Sequence, residues 1–250
     1  VNGLLEPYQS PMLKEIGERF RNPATSKKYH SAGVYAGVLG YSVNMDLLKE
    51  KNLPMPKSWS DLTNPAYRGL IQLASPQSSG TAYTTLATLV QLWGEDKAFE
   101  YLAKLHKNIG QYTKSGSAPG KAAARGETLI GIGFLHDHAK QIKNGFPLEL
   151  VVPSEGTGFE IGGLSIIKGA RNLENAKKFV DFMLSKEGQE IGGSIDMFQV
   201  PTNVTAAIPK EAIRLDEVNL IEYDFVKYGT EEMRSHLIDR WVKEIKPMER

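Results

Sequence analysis

Apolar and polar positions in the first half of the chain follow two periods, one typical of strands and one typical of helices. Leu70–Leu73 is a short apolar run that predicts a strand, and the small polar residues of ASPQSSG predict a loop after it. The segment TAYTTLATLVQLW then has apolar residues at helical spacing as far as Gly94. A second helix is predicted in EDKAFEYLAKLHKN, where the apolar stripe consists of Ala98, Phe99, Leu102 and Leu105.

The second half of the chain continues the alternation of strands and helices. TLIGIGFL, Thr128–Leu135, is apolar at nearly every position, which is typical of a strand in a parallel sheet covered on both faces. FEIGGLSIIKG, Phe159–Gly169, predicts another strand, and one long helix is predicted from a cap at Asn172 to Gly192. A short helix is expected in KAAARGE, and a final one in TEEMRSHLIDRWVKEIK with Met233, Leu237, Trp241 and Ile245 on one face. The pattern predicts an α/β fold.

The opening VNGLLEPYQSP does not resemble the start of a domain. It has no methionine, signal peptide or opening strand, and it reads as the end of a helix that runs into a loop. We therefore expect the chain to begin in mid-domain.

Composition narrows the class of protein further. The 250 residues carry a formal net charge of +1 and no long basic run, so nucleic acid is not an expected partner. No apolar run approaches the ~20 residues that span a bilayer. The sequence has no cysteine, which excludes disulfides, thiolate metal sites and cysteine nucleophiles but fits export and the cytosol equally well.

Two loops have the chemistry of an anion site. The first follows the strand at Leu70–Leu73 and opens a helix, where free backbone N–H groups and the helix dipole favour a negative charge. The residues of this loop that could contact the anion are Ser78, Ser79, Gly80 and Thr81. The second loop, YTKSGSAPG, repeats the pattern with Ser115, Gly116 and Ser117 beside Lys114. The alternatives are an ordinary helix cap for the first loop and a surface turn for the second.

The motif GFLHDH places ionisable side chains after the apolar strand that ends at Leu135. Residues just past such a strand line the crevice where open α/β sheets bind ligands, so His136 and Asp137 are candidates. Since neighbours on an extended chain point to opposite sides, a metal could be shared only by His136 and His138. A catalytic pair of His136 and Asp137 lacks a nucleophile motif. Carboxylate and imidazole would suit the hydroxyls of a sugar, and the remaining alternative is a buried structural histidine.

Glu160 is the last candidate from the residues alone. It lies between Phe159 and Ile161 in the glycine-rich stretch SEGTGFEIGG, so the acid must face away from them or find a partner. The stretch suits a strand between two lobes, in which Gly156 and Gly158 would allow bending. The alternative is an edge strand with a solvated glutamate.

The order of these segments resembles the periplasmic substrate-binding proteins of ABC importers, in particular the ferric-iron-binding type and its relatives for phosphonates and sugar phosphates. The segments that carry the resemblance are NGLLEPYQSP, GVLGYSVNMDLL, SPQSSGTAYTTLATLVQLWG, YTKSGSAPGKAAARGE, GIGFLHDH and GTGFEIGGLSIIKGARNLENAKKFVDFMLSKEGQE. The resemblance implies a two-lobed type II fold, each lobe a mixed sheet flanked by helices, with a ligand cleft between lobes that closes on binding. It places lobe I at 1–32 and 160–230, lobe II at 33–159 and 231–250, and hinge strands near 33–37 and 156–161.

The same resemblance implies a ligand and its contacts. The ligand would be a hexose phosphate, bound in the periplasm and delivered to an ABC permease by a monomeric protein without catalysis, cofactor or bound metal. Its phosphate end would contact Ser78, Ser79, Gly80, Thr81 and Ser117, and its sugar end His136, Asp137 and Glu160.

The sequence departs from the family pattern in two places. Iron-binding members have two neighbouring tyrosines where this chain has His136 and Asp137, and ferric iron prefers phenolate oxygen, so a ferric site is disfavoured. Members also begin with a strand, a helix and a strand before the LLEP segment, so roughly 70 residues are expected to be absent by normal lobe size. The open alternatives are a ferric or divalent metal carrier, a phosphonate binder such as one for 2-aminoethylphosphonate, and a phosphatase or sugar isomerase using Asp137 and His136.

Overall fold

A computed structural model describes residues 3–21 and 29–249 of the chain. The chain divides into two compact units, which we call unit 1 (Val1–Gly37 and Glu160–Arg214) and unit 2 (Val38–Phe159 and Leu215–Arg250). Whether these units are the two expected lobes stays a prediction. The stretch 215–230, which the sequence assigned to lobe I, lies in unit 2, and residues 1, 2 and 22–28 of the expected lobe I lie outside the described residues.

The described residues form the following strands and helices. The strands are β1 (Leu5–Glu6), β2 (Ala32–Asn44), β3 (Ile71–Ala74), β4 (Ile109–Thr113), β5 (Ile130–Phe134), β6 (Leu148–Val151), β7 (Phe159–Leu164), β8 (Ile166–Ile167) and β9 (Val200–Pro201). The α-helices are α1 (Met45–Glu50), α2 (Gly80–Trp93), α3 (Glu95–His106), α4 (Ala118–Ala124), α5 (Leu135–Lys143), α6 (Leu173–Leu184), α7 (Lys186–Ser194), α8 (Phe225–Tyr228) and α9 (Glu231–Glu244). Short 3₁₀ helices cover Pro11–Glu15, Glu18–Phe20, Ser60–Thr63 and Pro65–Tyr67. No helix in these ranges is long and apolar enough to cross a membrane.

Unit 2 contains a mixed sheet in the strand order β4-β3-β5-β2-β6. Strand β3 runs parallel to β4 and to β5, whereas β2 runs antiparallel to β5 and β6. Strand β5 is buried at every position, as its continuous apolar sequence predicted, although only one of its two neighbours is parallel. Because β3, β4 and β5 share a direction, their carboxyl ends meet at one edge of the sheet.

The main core of unit 2 is a cluster of buried apolar side chains from the sheet and from α2, α3 and α9. The apolar stripe predicted for α3 is confirmed, since all four of its residues are buried. The stripe predicted for the last helix is confirmed at Leu237, Trp241 and Ile245, which are buried, and Met233 packs partly buried against the same cluster. Burial of one face, at about 25 cal/mol per Å² of apolar surface, is what holds these helices to the sheet.

Unit 1 departs from the sequence-based predictions at three elements. The opening segment, predicted as the end of a helix, instead forms β1, which pairs antiparallel with β8, followed by a 3₁₀ helix capped by Ser10; Val1 and Asn2 lie outside the described residues. The strand predicted over Phe159–Gly169 is two strands, β7 and β8. The long helix predicted from Asn172 to Gly192 is also two, because Ser185 is extended and its side chain caps α7 by accepting from the N–H of Gly188.

Other helix and strand boundaries in the structure differ from the predicted ones by a few residues. Asn172 does occupy the cap position of α6, but its side chain makes no capping hydrogen bond. The short helix expected in KAAARGE starts earlier, at Ala118, and strand β4 was not predicted at all. In unit 1, β9 pairs antiparallel with Tyr35 and Ala36 of β2. Strand β2 also pairs with β7.

Candidate functional site

Three helices begin at the edge of the unit 2 sheet where the parallel strands end. Helix α2 follows β3, α4 follows β4 and α5 follows β5. The crevice outside the carboxyl ends of parallel strands is where open α/β sheets bind ligands. All the predicted site residues except Glu160 lie at the starts of these three helices, in the loops before α2 and α4 and in the first turns of α2 and α5.

At the start of α2, a serine side chain caps the helix and backbone N–H groups of the first turn remain as hydrogen-bond donors. Ser79 caps the helix, its hydroxyl oxygen accepting from the N–H of Ala82 at 3.3 Å, and Ser78 donates its hydroxyl to the carbonyl oxygen of Lys114 at 3.1 Å. The capping alternative is therefore correct for the side chain of Ser79. First-turn N–H groups have no acceptor within a helix, so those of Gly80 and Thr81 are available to a ligand or water.

The second loop lies against the first. A Cβ atom built on Gly116 would overlap Thr81 Oγ1 and would lie 2.9 Å from Ser79 Oγ, so only glycine allows the two loops to approach this closely. Ser117 occupies the cap position of α4 without capping it, and its hydroxyl lies 3.3 Å from that of Ser115. The structure therefore brings Ser79, Thr81 and the Gly116–Ser117 turn together, while the side chain of Lys114 is exposed.

His136 and Asp137 lie in the first turn of α5, not on an extended chain. The ring of His136 stacks on Phe134 at a centroid distance of 5.8 Å, and its Nε2 lies 3.9 Å from Oδ1 of Asp137. Burial lowers the pKa of His136 and the carboxylate of Asp137 opposes that shift, so the imidazole is favoured in its neutral form. Asp137 is far more open, with 42% of its side chain exposed against 9% for His136.

His138 points away from that pair. It is fully buried, and its Nδ1 shares a 2.8 Å hydrogen bond with Ser42 Oγ of β2. The metal alternative for His136 and His138 assumed an extended chain, and that assumption is wrong: both residues lie in α5, where residues two apart point about 200° apart. In residues 3–21 and 29–249 no group of three or more His, Asp or Glu side chains could hold one metal ion.

Glu160 belongs to unit 1, where it lies half-buried in β7. Its contribution to the site therefore stays a prediction. The glycines before it have a packing role that the sequence did not reveal. Gly156 has a φ of +108°, and a Cβ on Gly158 would overlap the hydroxyl of Thr88.

The residues packed around His138 were not predicted from the sequence. Ser42, Gly120 and Gly133 surround the ring of His138, and none was a candidate. The alternate glycines of GIGF in β5 were the available signal, since glycine inside a strand often marks a close backbone approach.

Comparisons with known proteins extend over nearly the whole chain. Residues 1–228 match the family described as bacterial extracellular solute-binding protein. An uncharacterized protein of Haemophilus influenzae is 54% identical over 246 residues, which cover 98% of this chain and 71% of that protein.

The similar solved structures include two periplasmic binding proteins. The periplasmic binding protein AfuA from Actinobacillus pleuropneumoniae, with exogenous fructose-6-phosphate bound, has a TM-score of 0.94 and 55% identity, covering 98% of this chain and 78% of that one. The periplasmic binding protein P5PA has a TM-score of 0.90 and 44% identity, covering 97% of this chain and 77% of that one. These similarities confirm the predicted fold class, an α/β periplasmic binding protein of the two-lobed type II.

Proposed function

We propose, from the premise that this chain belongs to the bacterial extracellular solute-binding protein family, that it binds a phosphorylated sugar, namely a hexose phosphate. It acts in the periplasm as the receptor of an ABC importer and passes its ligand unchanged to the membrane permease. It works as a monomer and performs no catalysis. The sugar phosphate as ligand and the permease as membrane partner belong to the same proposal.

One observation carries the proposal: the carboxyl edge of the unit 2 sheet has anion-binding chemistry at one side and hydroxyl-binding chemistry at the other. At the phosphate end, the N–H groups of Gly80 and Thr81 stand at the positive end of a 14-residue helix. The adjoining Gly116–Ser117 turn adds a hydroxyl, and Ser78 and Ser79 hold the first loop in shape.

The sugar end is formed by Asp137 and His136. A carboxylate accepts hydrogen bonds from hydroxyls but repels a phosphate, which gives the ligand a direction in the site. A neutral imidazole can both donate and accept, as a ring of hydroxyls requires. Glu160, from unit 1, is proposed as a further acceptor for the sugar. The 55% identity to AfuA, whose solved structure has fructose-6-phosphate bound, supports a hexose phosphate.

A phosphonate is the second candidate ligand. In 2-aminoethylphosphonate the phosphonate would fit the same helix start, and its ammonium group would pair with the exposed carboxylate of Asp137. A ferric ion fits less well, because His136 offers a neutral nitrogen where hard Fe(III) prefers anionic oxygen.

The melting temperature of the metal-stripped protein tests the proposal, because a ligand that binds only the folded state raises it. The ligands to compare are glucose 6-phosphate, fructose 6-phosphate, glucose, inorganic phosphate, 2-aminoethylphosphonate and ferric citrate. We expect a rise with a sugar phosphate that neither glucose nor phosphate reproduces. A rise with 2-aminoethylphosphonate or ferric citrate alone would replace the proposal by the corresponding alternative.

The variant Asp137→Ala adds a test of the ligand's direction. Binding of the sugar phosphate should weaken strongly, whereas inorganic phosphate, which does not reach Asp137, should bind nearly as before. Equal losses for both ligands would contradict the role assigned to Asp137.

A further inference from the structure

His138, the third ionisable residue of the GFLHDH motif, is buried directly beneath the proposed site. Its ring has no exposed surface, and Nδ1 is held by Ser42 Oγ at 2.8 Å. Among the described residues its Nε2 has no hydrogen-bond partner. A buried polar atom without a partner destabilises the fold by about 1–3 kcal/mol, so the ring's position needs an explanation beyond stability.

The unpartnered side of the ring fills a space that two glycines leave open. A Cβ built on Gly120 of α4 would lie 2.5 Å from Nε2 of His138, and a Cβ on Gly133 of β5 would lie 2.9 Å from the same atom. The second of these Cβ positions is also 3.1 Å from the carbonyl oxygen of Gly116. The imidazole of α5 therefore packs against the backbone of α4 and of β5, next to the turn that contacts Thr81.

We infer that His138 is a positioning residue of the proposed binding site, whose ring sets the spacing between the segment Gly116–Gly120 and the start of α5. The inference rests on the proposed function, since that spacing separates the phosphate end, at Thr81 and Ser117, from the sugar end, at His136 and Asp137. The ring is rigid, and Gly120 and Gly133, which it meets, have no side chain that could move aside, so the spacing cannot relax there by a change of rotamer.

The charge state of the ring agrees with this role. Burial, with a smaller contribution from His136, lowers the pKa of His138 to about 3. The imidazole is therefore neutral under all ordinary conditions. A neutral ring can pack against α4 without a counter-ion, whereas a buried cation there would require one.

A double-mutant cycle with Gly120→Ala and His138→Ala tests the inference through the affinity for glucose 6-phosphate. Gly120→Ala alone forces the new methyl group against the ring, which displaces α4 and weakens binding by about tenfold or more. His138→Ala alone lets the Gly116–Gly120 segment shift inward and also weakens binding. In the double variant the methyl group occupies the emptied space, so the combined loss should be smaller than the product of the single losses, by about tenfold.

Two further readouts separate positioning from mere support of the fold. Inorganic phosphate occupies one end only, so its affinity should fall less than that of glucose 6-phosphate. His106→Asn is the matched control, because His106 is equally buried in unit 2 but belongs to α3 and contacts Tyr112 and Met248. That variant should lower the melting temperature and leave the affinity of the folded protein unchanged.

Several outcomes would overturn the role of His138. In the first, the losses of affinity in the two single variants multiply in the double variant. In the second, the affinities for inorganic phosphate and for glucose 6-phosphate fall equally. In the third, the affinity changes as much in His106→Asn as in His138→Ala. If His138→Ala does not fold, His138→Asn retains a partner for Ser42 and replaces it in the cycle. A wild-type protein that binds only 2-aminoethylphosphonate would overturn the proposed function instead, and the same cycle with that ligand would still decide the role of His138.

Discussion

The indole Nε1 of Trp59 donates a hydrogen bond of 3.1 Å to the carbonyl oxygen of Gly156. The neighbouring carboxylate of Glu155 accepts from the backbone N–H groups of Trp59 and Ser60, each at 2.9 Å. The two bonds to Glu155 cap the 3₁₀ helix Ser60–Thr63, whose N-cap residue Trp59 makes no side-chain capping bond. The turn before β7 is thereby anchored within unit 2.

Glu155→Ala should therefore destabilise unit 2. Both N–H groups lose their acceptor, and that of fully buried Trp59 cannot be solvated without local opening. A loss of about 1–3 kcal/mol in the free energy of unfolding is expected from urea denaturation. Glu149→Ala, which removes an exposed glutamate from β6, is the control and should change stability little. Equal stability of the two variants would show that the anchor is absent in solution.

Gly80→Ala should weaken ligand binding without damaging the fold. A Cβ on Gly80 meets no atom within 4 Å, so the protein accommodates it. Helical Cβ atoms tilt toward the N-terminus, which places the methyl group in front of the donors proposed for the phosphate. Losing two charge-assisted hydrogen bonds should lower the affinity for glucose 6-phosphate by about tenfold or more.

The control for that variant is Gly163→Ala in β7, where a Cβ also meets nothing within 4 Å. Calorimetric titration should show unchanged affinity for it, and thermal unfolding should show that both variants fold. Unchanged affinity in Gly80→Ala would remove the start of α2 from the site.

Binding should not depend on a charge on His136. Burial lowers the pKa of His136 below the usual value of 6.5, against the opposing effect of Asp137, so the imidazole is less charged than an ordinary histidine at the same pH. The affinity for glucose 6-phosphate, measured from about pH 6 to about pH 8 in wild type and in His136→Gln, should give parallel profiles, since titration of the ligand's phosphate is common to both. A wild-type affinity that rises relative to His136→Gln as the pH falls would show that the histidine binds as a cation.

Much of the fold follows from periodicity, because long amphipathic patterns report which face is buried. The stripe of α3 and the stripe of Leu237, Trp241 and Ile245, which runs along α9 to the residue after it, are such patterns. Boundaries are weaker signals. Ser185 divides the predicted long helix because its side chain caps α7. The sequence alone does not show whether a serine between two helical stretches continues one helix or caps a second. Strand β4 was missed since four of its five residues are at least partly exposed at the edge of the sheet.

The site was predictable in its chemistry but less in its geometry. Small polar residues before α2 and α4 indicated two donor-rich loops, and parallel neighbouring strands bring them together at Gly116 and Thr81. The helical start at Leu135 was not predictable, because Phe134 occupies the cap position and offers no capping side chain. The opposite directions of His136 and His138 follow from that start, and so does the internal role of His138.

The ion pairs between α3 and α9 should make stability depend on acidic pH. Glu95 Oε1 lies 2.7 Å from Arg240 and 2.9 Å from His236. Burial acts to raise the pKa of Glu95, but the hydrogen bonds from Arg240 and His236 outweigh it and hold the pKa below the usual 4.5. A carboxylate whose pKa is lower in the folded state stabilises the fold above its unfolded pKa, and that contribution disappears as the pH falls through the folded value.

Glu95→Gln should therefore be less stable than wild type at neutral pH, by about 1 kcal/mol or less for partly exposed pairs, and the difference should shrink as the pH falls below the usual carboxyl range. Urea unfolding at neutral and acidic pH measures it. Glu100→Gln, on the exposed side of the same helix, should show no such convergence. If instead the Glu95→Gln difference stays constant down to acidic pH, the glutamate contributes through packing and helix propensity, because only an ionised carboxylate can lose its pairing with Arg240 by protonation.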